Sequence, residues 1–297
     1  MRIHLVDGTY ELFRSFYGVP SKKAPDGREV GATVGLLNSL LLLLTKEGAT
    51  HVGCAFDHVI ESFRNDLYPG YKTGEGIDPD LLAQFRLAER AVAALGLVVW
   101  PMVEFEADDA LASATLRFRR RRSVEQVVLC SPDKDLAQLV SGDRVVSWDR
   151  RREIIYDEAA VVEKFGVSPG SIPDWLALVG DAADGYPGIP AWGEKSASAV
   201  LSKYEHLETI PKDHRKWGLP AGRALRLAEN LNTHREDAFL FRRLATLRTD
   251  VPLEENLKDL EWRGARKRLR KLCNDLGASR LLDRVPRWAA EPRPARR

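Results

Sequence analysis

Cysteine and methionine are scarce in this 297-residue sequence, which has three Cys (Cys54, Cys130 and Cys273) and two Met. Three widely separated thiols cannot staple a disulfide framework or supply a four-thiolate metal site, and they suit a reducing cytoplasm. Long apolar stretches are lacking too. The run Leu40 to Leu44 is far too short to cross a bilayer, and residues 1–20 carry neither the basic flank nor the apolar stretch of a secretion signal. A cytoplasmic protein with no membrane partner is therefore expected. The six histidines, at 4, 51, 58, 206, 214 and 234, show no metal-ligand spacing, which argues against zinc.

What is present is an uneven distribution of charge. The formal net charge is +2, yet residues 211–297 hold 22 Lys and Arg against 12 Asp and Glu, while residues 1–210 hold 23 against 31. A basic C-terminal part suits a polyanion, and an acidic N-terminal part can approach that polyanion only with cations among its carboxylates. Nucleic acid with divalent metal satisfies both. With 44% apolar and 30% charged residues the chain can bury a sizeable core, so a globular protein of one large domain, or a core with an appendage, is expected.

Short β-rich runs punctuate the first half, each ending at a polar residue and followed by a helical pattern. Arg2 to Val6 leads into Asp7, His51 to Phe56 into Asp57, Leu97 to Val103 into Glu104, and Gln126 to Cys130 into Ser131-Pro132-Asp133. Alternating strands and helices imply a parallel sheet, and Val145 to Trp148 with Glu153 to Tyr156 read as a hairpin. Helices are expected over Val34 to Leu44 and Leu81 to Leu95, the second closed by Gly96. From 157 to 285 the pattern is mainly helical, broken at prolines, and the last dozen residues read as a basic tail.

Asp7, Asp57 and Asp133 fall at the C-terminal ends of expected strands, the edge at which open parallel sheets bind ligands. One such aspartate is an ordinary cap or turn residue; three are not so easily dismissed. Further acids are clustered: Glu106-Ala107-Asp108-Asp109, Asp133-Lys134-Asp135, and Asp181 with Asp184. In one cleft these carboxylates would repel one another prohibitively without bound cations, and an all-oxygen donor set selects Mg2+ or Mn2+. Two such ions about 4 Å apart can activate water and neutralise a phosphodiester in its transition state. Phosphodiester hydrolysis is the reaction that uses all these parts.

These residues resemble the flap endonuclease family, most closely the 5′ nuclease domain of bacterial DNA polymerase I and its free-standing relatives. The likeness is carried by Val6-Asp7-Gly8 with Arg14 and Phe16-Tyr17, Ala55-Phe56-Asp57, Phe63-Arg64 through Tyr71-Lys72, the Glu106 to Asp109 string, Asp133-Lys134-Asp135-Leu136, and Gly180-Asp181 through Asp184 with Pro187-Gly188. It implies a PIN-like (Rossmann-like) α/β core with a mostly parallel sheet over 1–165, including an arch over about 60–95. A helical DNA-binding part with a helix-hairpin-helix (helix-three-turn-helix) would follow over 166–285, then a basic tail over 286–297. It further implies a monomeric, metal-dependent 5′ to 3′ exonuclease and flap endonuclease acting on DNA 5′ ends, flaps and nicks.

Residue by residue, the resemblance places Asp7, Asp57, Glu106, Asp108 and Asp109 around a first metal and Asp133, Asp135, Asp181 and Asp184 around a second. Asp7, Asp109, Asp133 and Lys72 are thereby implied to be catalytic, with Lys72 on the scissile phosphate. Tyr71 would stack on a base at the foot of the arch, Arg14 would contact DNA, and Gly188, Gly193, Lys195 and Ser196 would hold duplex phosphates, with K+ as an accompanying monovalent cation. Two positions depart from the family pattern: Glu75 stands where a second arch cation is usual, and Ala191 where the hairpin has its first glycine. A PIN-type ribonuclease and a catalytically weak DNA-junction binder are the competing readings. The hairpin segment speaks against the first and the full set of acids against the second.

Overall fold

The computed structural model describes residues 1–290. A six-stranded sheet in the order β3-β2-β1-β4-β5-β6 forms its centre, built from β1 (Arg2–Asp7), β2 (His51–Asp57), β3 (Val98–Met102), β4 (Gln126–Cys130), β5 (Val145–Asp149) and β6 (Ile154–Tyr156). The first five strands run parallel, and β6 returns antiparallel to β5 as the expected hairpin, with Trp148 opposite Ile155. Because the chain steps outward from β1 to β3 and then restarts at β4 on the other side of β1, the order reverses between β1 and β4. Their C-terminal ends define the crevice in which a doubly wound sheet binds its ligand.

Alternation along the strands assigns the two faces. Ile3 and Leu5 pack with α6 (Ala107–Arg119), whereas Val6, Cys54 and Phe56 pack beneath α1 (Gly8–Gly18) and α2 (Gly31–Thr45). Short α3 (Phe63–Leu67) and α4 (Pro79–Leu82) precede α5 (Phe85–Leu95), which ends at Gly96 in the left-handed conformation. The helix expected over 81–95 is thus broken at Ala83-Gln84, where the Gln84 side chain turns inward to accept from the N–H and hydroxyl of Thr33.

The second lobe comprises α7 (Glu158–Phe165), α8 (Ile172–Val179), α9 (Glu194–Tyr204), α10 (Ala221–Thr233) and α11 (Arg235–Ala245), gathered around Trp175, Leu176, Trp192 and Phe241. After Ala245 the chain returns to the sheet. Leu247, Val251 and Leu260 join the core on the α6 side, while Trp262 and α12 (Arg268–Asp275) join the side of α2 and α5. The helical lobe expected to run to 285 therefore ends near 245, and apolar residues spaced through 247–285 pack on the two faces of the sheet. Of the expected basic tail, residues 286–290 pack locally, with Arg270 stacked 4.0 Å over Trp288, and 291–297 lie outside the described residues. Among the described residues no helix is long and apolar enough to cross a membrane.

Candidate metal centre and nucleic-acid interface

The acids that the sequence scatters converge on the C-terminal edge of the sheet. Asp7 ends β1 and caps α1, its Oδ1 accepting from Tyr10 N at 2.8 Å, while Oδ2 accepts from the Ser131 hydroxyl just beyond β4 at 3.0 Å. Asp57 ends β2 and accepts from Ala107 N at 2.7 Å, which ties it to the start of α6. Glu106 precedes that helix and is held by Ser62 (2.7 Å), Arg64 (3.1 Å) and Lys72 (2.8 Å). Asp108 follows on the first turn of α6, and Asp133 and Asp135 flank Lys134 in the loop after β4.

Burial and crowding disturb the ionisation of this group strongly. Burial, with Asp57 and Asp133 close by, pushes Asp7 up to about 7, and burial pushes Asp57 to about 6 although Lys72 partly offsets it. Asp108 and Asp135 rise well above the carboxylate range for the same reasons: burial first, then Asp133, with Asp7 acting on Asp108 and Asp184 and Asp181 on Asp135. Glu106 goes the other way. Burial opposes its charge, but Lys72 and Arg64 hold it down at about 2.

Two oxygens in this nest, Asp108 Oδ1 and Asp135 Oδ1, are buried without any hydrogen-bond partner. Carboxylate oxygens of Asp135, Asp181 and Asp184 also lie within 4.8 Å of one another. Orphaned anionic oxygens are costly, and several crowded together fit one purpose, the binding of a hard cation. Asp135, Asp181 and Asp184 thus suit a divalent ion, while Asp7, Asp57, Asp108 and Asp133 form an adjoining acidic group with Glu106 at its edge, and Asp133, which the resemblance assigns to the second metal, lies beside Asp7 and Asp108 as well as Asp135. Lys72 links the two groups, with its ammonium 2.8 Å from Glu106 and 3.0 Å from Asp184. Burial disfavours that charge, but Glu106, Tyr71 and Asp184 raise its pKa well above the ordinary lysine value.

Asp109 does not belong among the ligands. Its oxygens accept from both terminal nitrogens of Arg64 at 2.8 Å, from Arg248 N at 2.8 Å and from Glu106 N at 3.0 Å, and the side chain is fully buried. Four donors fill the acceptor capacity of one carboxylate, which leaves nothing for an ion. One residue along α6 is enough to turn a side chain from the cleft into the core. The partner Arg64, only 1% exposed, also donates to Leu244 O at 2.8 Å and so joins α3, α6 and the end of α11.

Tyr71 is likewise corrected. It is 3% exposed, sits in the core of the helical lobe and directs its hydroxyl at Glu106, so it cannot stack on a base. The arch shrinks as well: α4 and α5 bury Leu81, Phe85, Ala88 and Leu95 against the sheet, and only the short stretch of residues 73–78 is largely exposed, with Glu75 on it. Arg14 pairs with Glu11 and donates to the Ser39 hydroxyl at 2.9 Å. It lines an open cleft of about 570 Å³ with Arg150, Arg151 and Tyr17, a basic surface with an exposed aromatic.

Between α8 and α9 the hairpin has the form the sequence implied. Gly188 adopts φ +70°, and a Cβ there would meet Gly180 N at 2.4 Å, so the fold alone requires glycine. At Gly193 a Cβ would meet nothing within 4 Å, so no intramolecular contact explains a glycine there. Ala191 takes the left-handed φ of 67° that a glycine adopts without strain. Lys195 is exposed, but Ser196 is 1% exposed and spends its hydroxyl on Gly193, which removes its side chain from a phosphate contact. Two hairpin carbonyls each accept one hydrogen bond within the protein, Ile189 O from Trp192 N and Pro190 O from Asn230.

Arg64, Ser131, Lys134 and Tyr186 received no role from the sequence. Arg64 and Lys134 lie inside quoted motifs, Ser131 follows the run Gln126 to Cys130 and Tyr186 falls between Asp184 and Pro187, so adjacency to the acids was the signal available for them.

The model of the 5′-3′ exonuclease N-terminal resolvase-like domain matches residues 2–166, and that of the 5′-3′ exonuclease C-terminal SAM fold matches 167–268. A 5′-3′ exonuclease of Aquifex aeolicus is 32% identical over 260 residues, covering 87% of this chain and 86% of its own. DNA polymerase I of Mycobacterium leprae is 34% identical over 290 residues, covering 95% of this chain but 31% of its own. The chain thus spans about a third of the length of the polymerase relatives it matches. The bacteriophage T5 flap endonuclease, solved as a pseudo-enzyme-product complex with DNA and metal ions, shares the fold with a TM-score of 0.66 at 18% identity, covering 96% of both chains. Two consecutive domain matches and a relative aligned over most of both lengths lead to one conclusion: the chain belongs to the 5′-3′ exonuclease family.

Proposed function

We propose that this chain hydrolyses phosphodiester bonds at DNA 5′ ends, flaps and nicks, in the cytoplasm and as a monomer, with Mg2+ (or Mn2+) held at both acidic groups. The observation that carries the reading is the pair of buried, unpartnered oxygens of Asp108 and Asp135 within a nest of carboxylates. Bound there, the ions would supply charge neutralisation and an activated water. The protein's own part is positional. Ser131 and the N-terminus of α1 orient Asp7, Ala107 N orients Asp57, and Ser62 with Arg64 orients Glu106.

Lys72, which neutralises Glu106 and Asp184 in the absence of ions, would be freed by their arrival to face an anionic substrate at the same cleft. Arg14, Lys195 and the backbone at Gly193 would contact phosphates, which carries no sequence information and predicts a structure-specific rather than base-specific enzyme.

Labelled 5′-flap DNA and matched single-stranded RNA, each with Mg2+ or EDTA, test the proposal. Mg2+-dependent cutting of the flap alone is expected. Cutting of RNA in preference would favour a PIN-type ribonuclease, and tight flap binding without cutting would favour a junction-binding protein.

A further inference from the structure

Asp181 and Tyr186 face each other across a two-residue antiparallel bridge, Asp181 N donating to Tyr186 O at 2.8 Å and Tyr186 N to Asp181 O at 3.1 Å. Residues directly opposite in such a pair project to the same side. The tyrosine therefore points where Asp181 points, toward the group that Asp181 forms with Asp135 and Asp184. Its ring is 1% exposed and stacked on Phe241, with centroids 5.5 Å apart and planes at 23°, so the direction of the hydroxyl is set by packing.

That hydroxyl has no hydrogen-bond partner, although it is buried. An orphaned hydroxyl in a core is destabilising, and phenylalanine would fill the same space without that cost. Asp135 Oδ1, in that acidic group, is likewise buried without a hydrogen-bond partner. A phenol hydroxyl is protonated at neutral pH and can donate.

We propose that Tyr186 is a positioning residue for the divalent ion of the Asp135, Asp181 and Asp184 group, its hydroxyl donating to the oxygens that surround that ion. The inference rests on reading this group as a metal site. Donors behind the ligands fix carboxylate orientation, and their loss typically weakens metal binding by about 10–100-fold.

The test is Tyr186→Phe in the full chain, with Mn2+ as the probe. Mn2+ binding is followed by electron paramagnetic resonance, thermal unfolding is measured in EDTA and in Mn2+, and flap cutting is measured under single turnover across a Mn2+ series. The variant is expected to unfold in EDTA at or above the wild-type temperature, to bind one class of Mn2+ about tenfold more weakly, and to need correspondingly more Mn2+ for half-maximal cutting. Its DNA affinity should be unchanged.

Equal Mn2+ binding by variant and wild type would overturn the role of Tyr186 while leaving the metal centre intact. So would an equal loss of stability with and without Mn2+, since the hydroxyl would then be purely structural. If the wild type itself bound no Mn2+, the metal-centre reading would fall, and this inference with it.

Discussion

Adjacent aspartates on α6 should fail in opposite ways when replaced. Asp109→Ala removes a fully buried carboxylate that accepts both terminal nitrogens of Arg64 and two backbone N–H groups. Arg64 itself is 1% exposed, so its guanidinium would be left in the core with Glu106, 3.1 Å away, as its remaining ion pair. Breaking a buried pair from one side costs about 3–5 kcal/mol. At about 2–4 °C per kcal/mol for a chain of this size, unfolding should move down by roughly 6–20 °C.

Asp108→Ala removes an oxygen that has no partner and relieves repulsion with Asp133 and Asp7. In EDTA this variant should unfold at or above the wild-type temperature, yet lose most of the stabilisation that Mg2+ confers. Scanning calorimetry of wild type and both variants, each in EDTA and in Mg2+, reads the contrast directly. An Asp109→Ala protein that melts within a degree or two of wild type in EDTA, while losing its response to Mg2+, would refute the reasoning and return Asp109 to the ligand set.

Other outcomes follow from the same geometry. Gly193→Val should leave the unfolding temperature unchanged and weaken binding to all duplex sequences alike in fluorescence anisotropy, whereas Gly188→Val should destabilise the fold, since its Cβ would strike the backbone of Val179 and Gly180. Raised carboxyls contribute stability that is complete below their ordinary value near 3.8 and is lost as pH climbs through about 6 for Asp57 and about 7 for Asp7. The gain in unfolding temperature on adding Mg2+ should accordingly be larger at pH 8 than at pH 5.5, and taking the difference cancels His4, which burial and Arg150 push down to about 4. Lys72→Ala should slow flap cutting under saturating single-turnover conditions, while Glu75→Arg, on the exposed loop, should tighten flap binding in low salt with a benefit that fades as salt rises.

Much of this protein is determined locally and could be read from the chain. The strands ending at Asp7 and Asp57 are β-rich runs bounded by helical patterns, and a right-handed strand-helix-strand path leaves little choice but a parallel sheet with those acids on its ligand edge. The density of carboxylates pointed to cations provided the acids shared one cleft, because like charges brought close cannot all ionise unaided. The hairpin was legible for a similar reason: the left-handed backbone at Gly188 can be met by very few residues.

Tertiary structure alone decided which neighbours in sequence share an environment. Successive residues on a helix are turned by about 100°, so Asp108 enters the cleft while Asp109 enters the core, and only the position of Arg64, 45 residues earlier, determines which is which. Tyr71 and Lys72 divide in the same way between the core of the helical lobe and the acidic cleft. The return of residues 247–285 to the sheet was equally hidden, since their apolar pattern shows that they are buried but not against which lobe. Periodicity specifies a buried face; which surface covers it depends on contacts distant in sequence, formed only when the chain is folded.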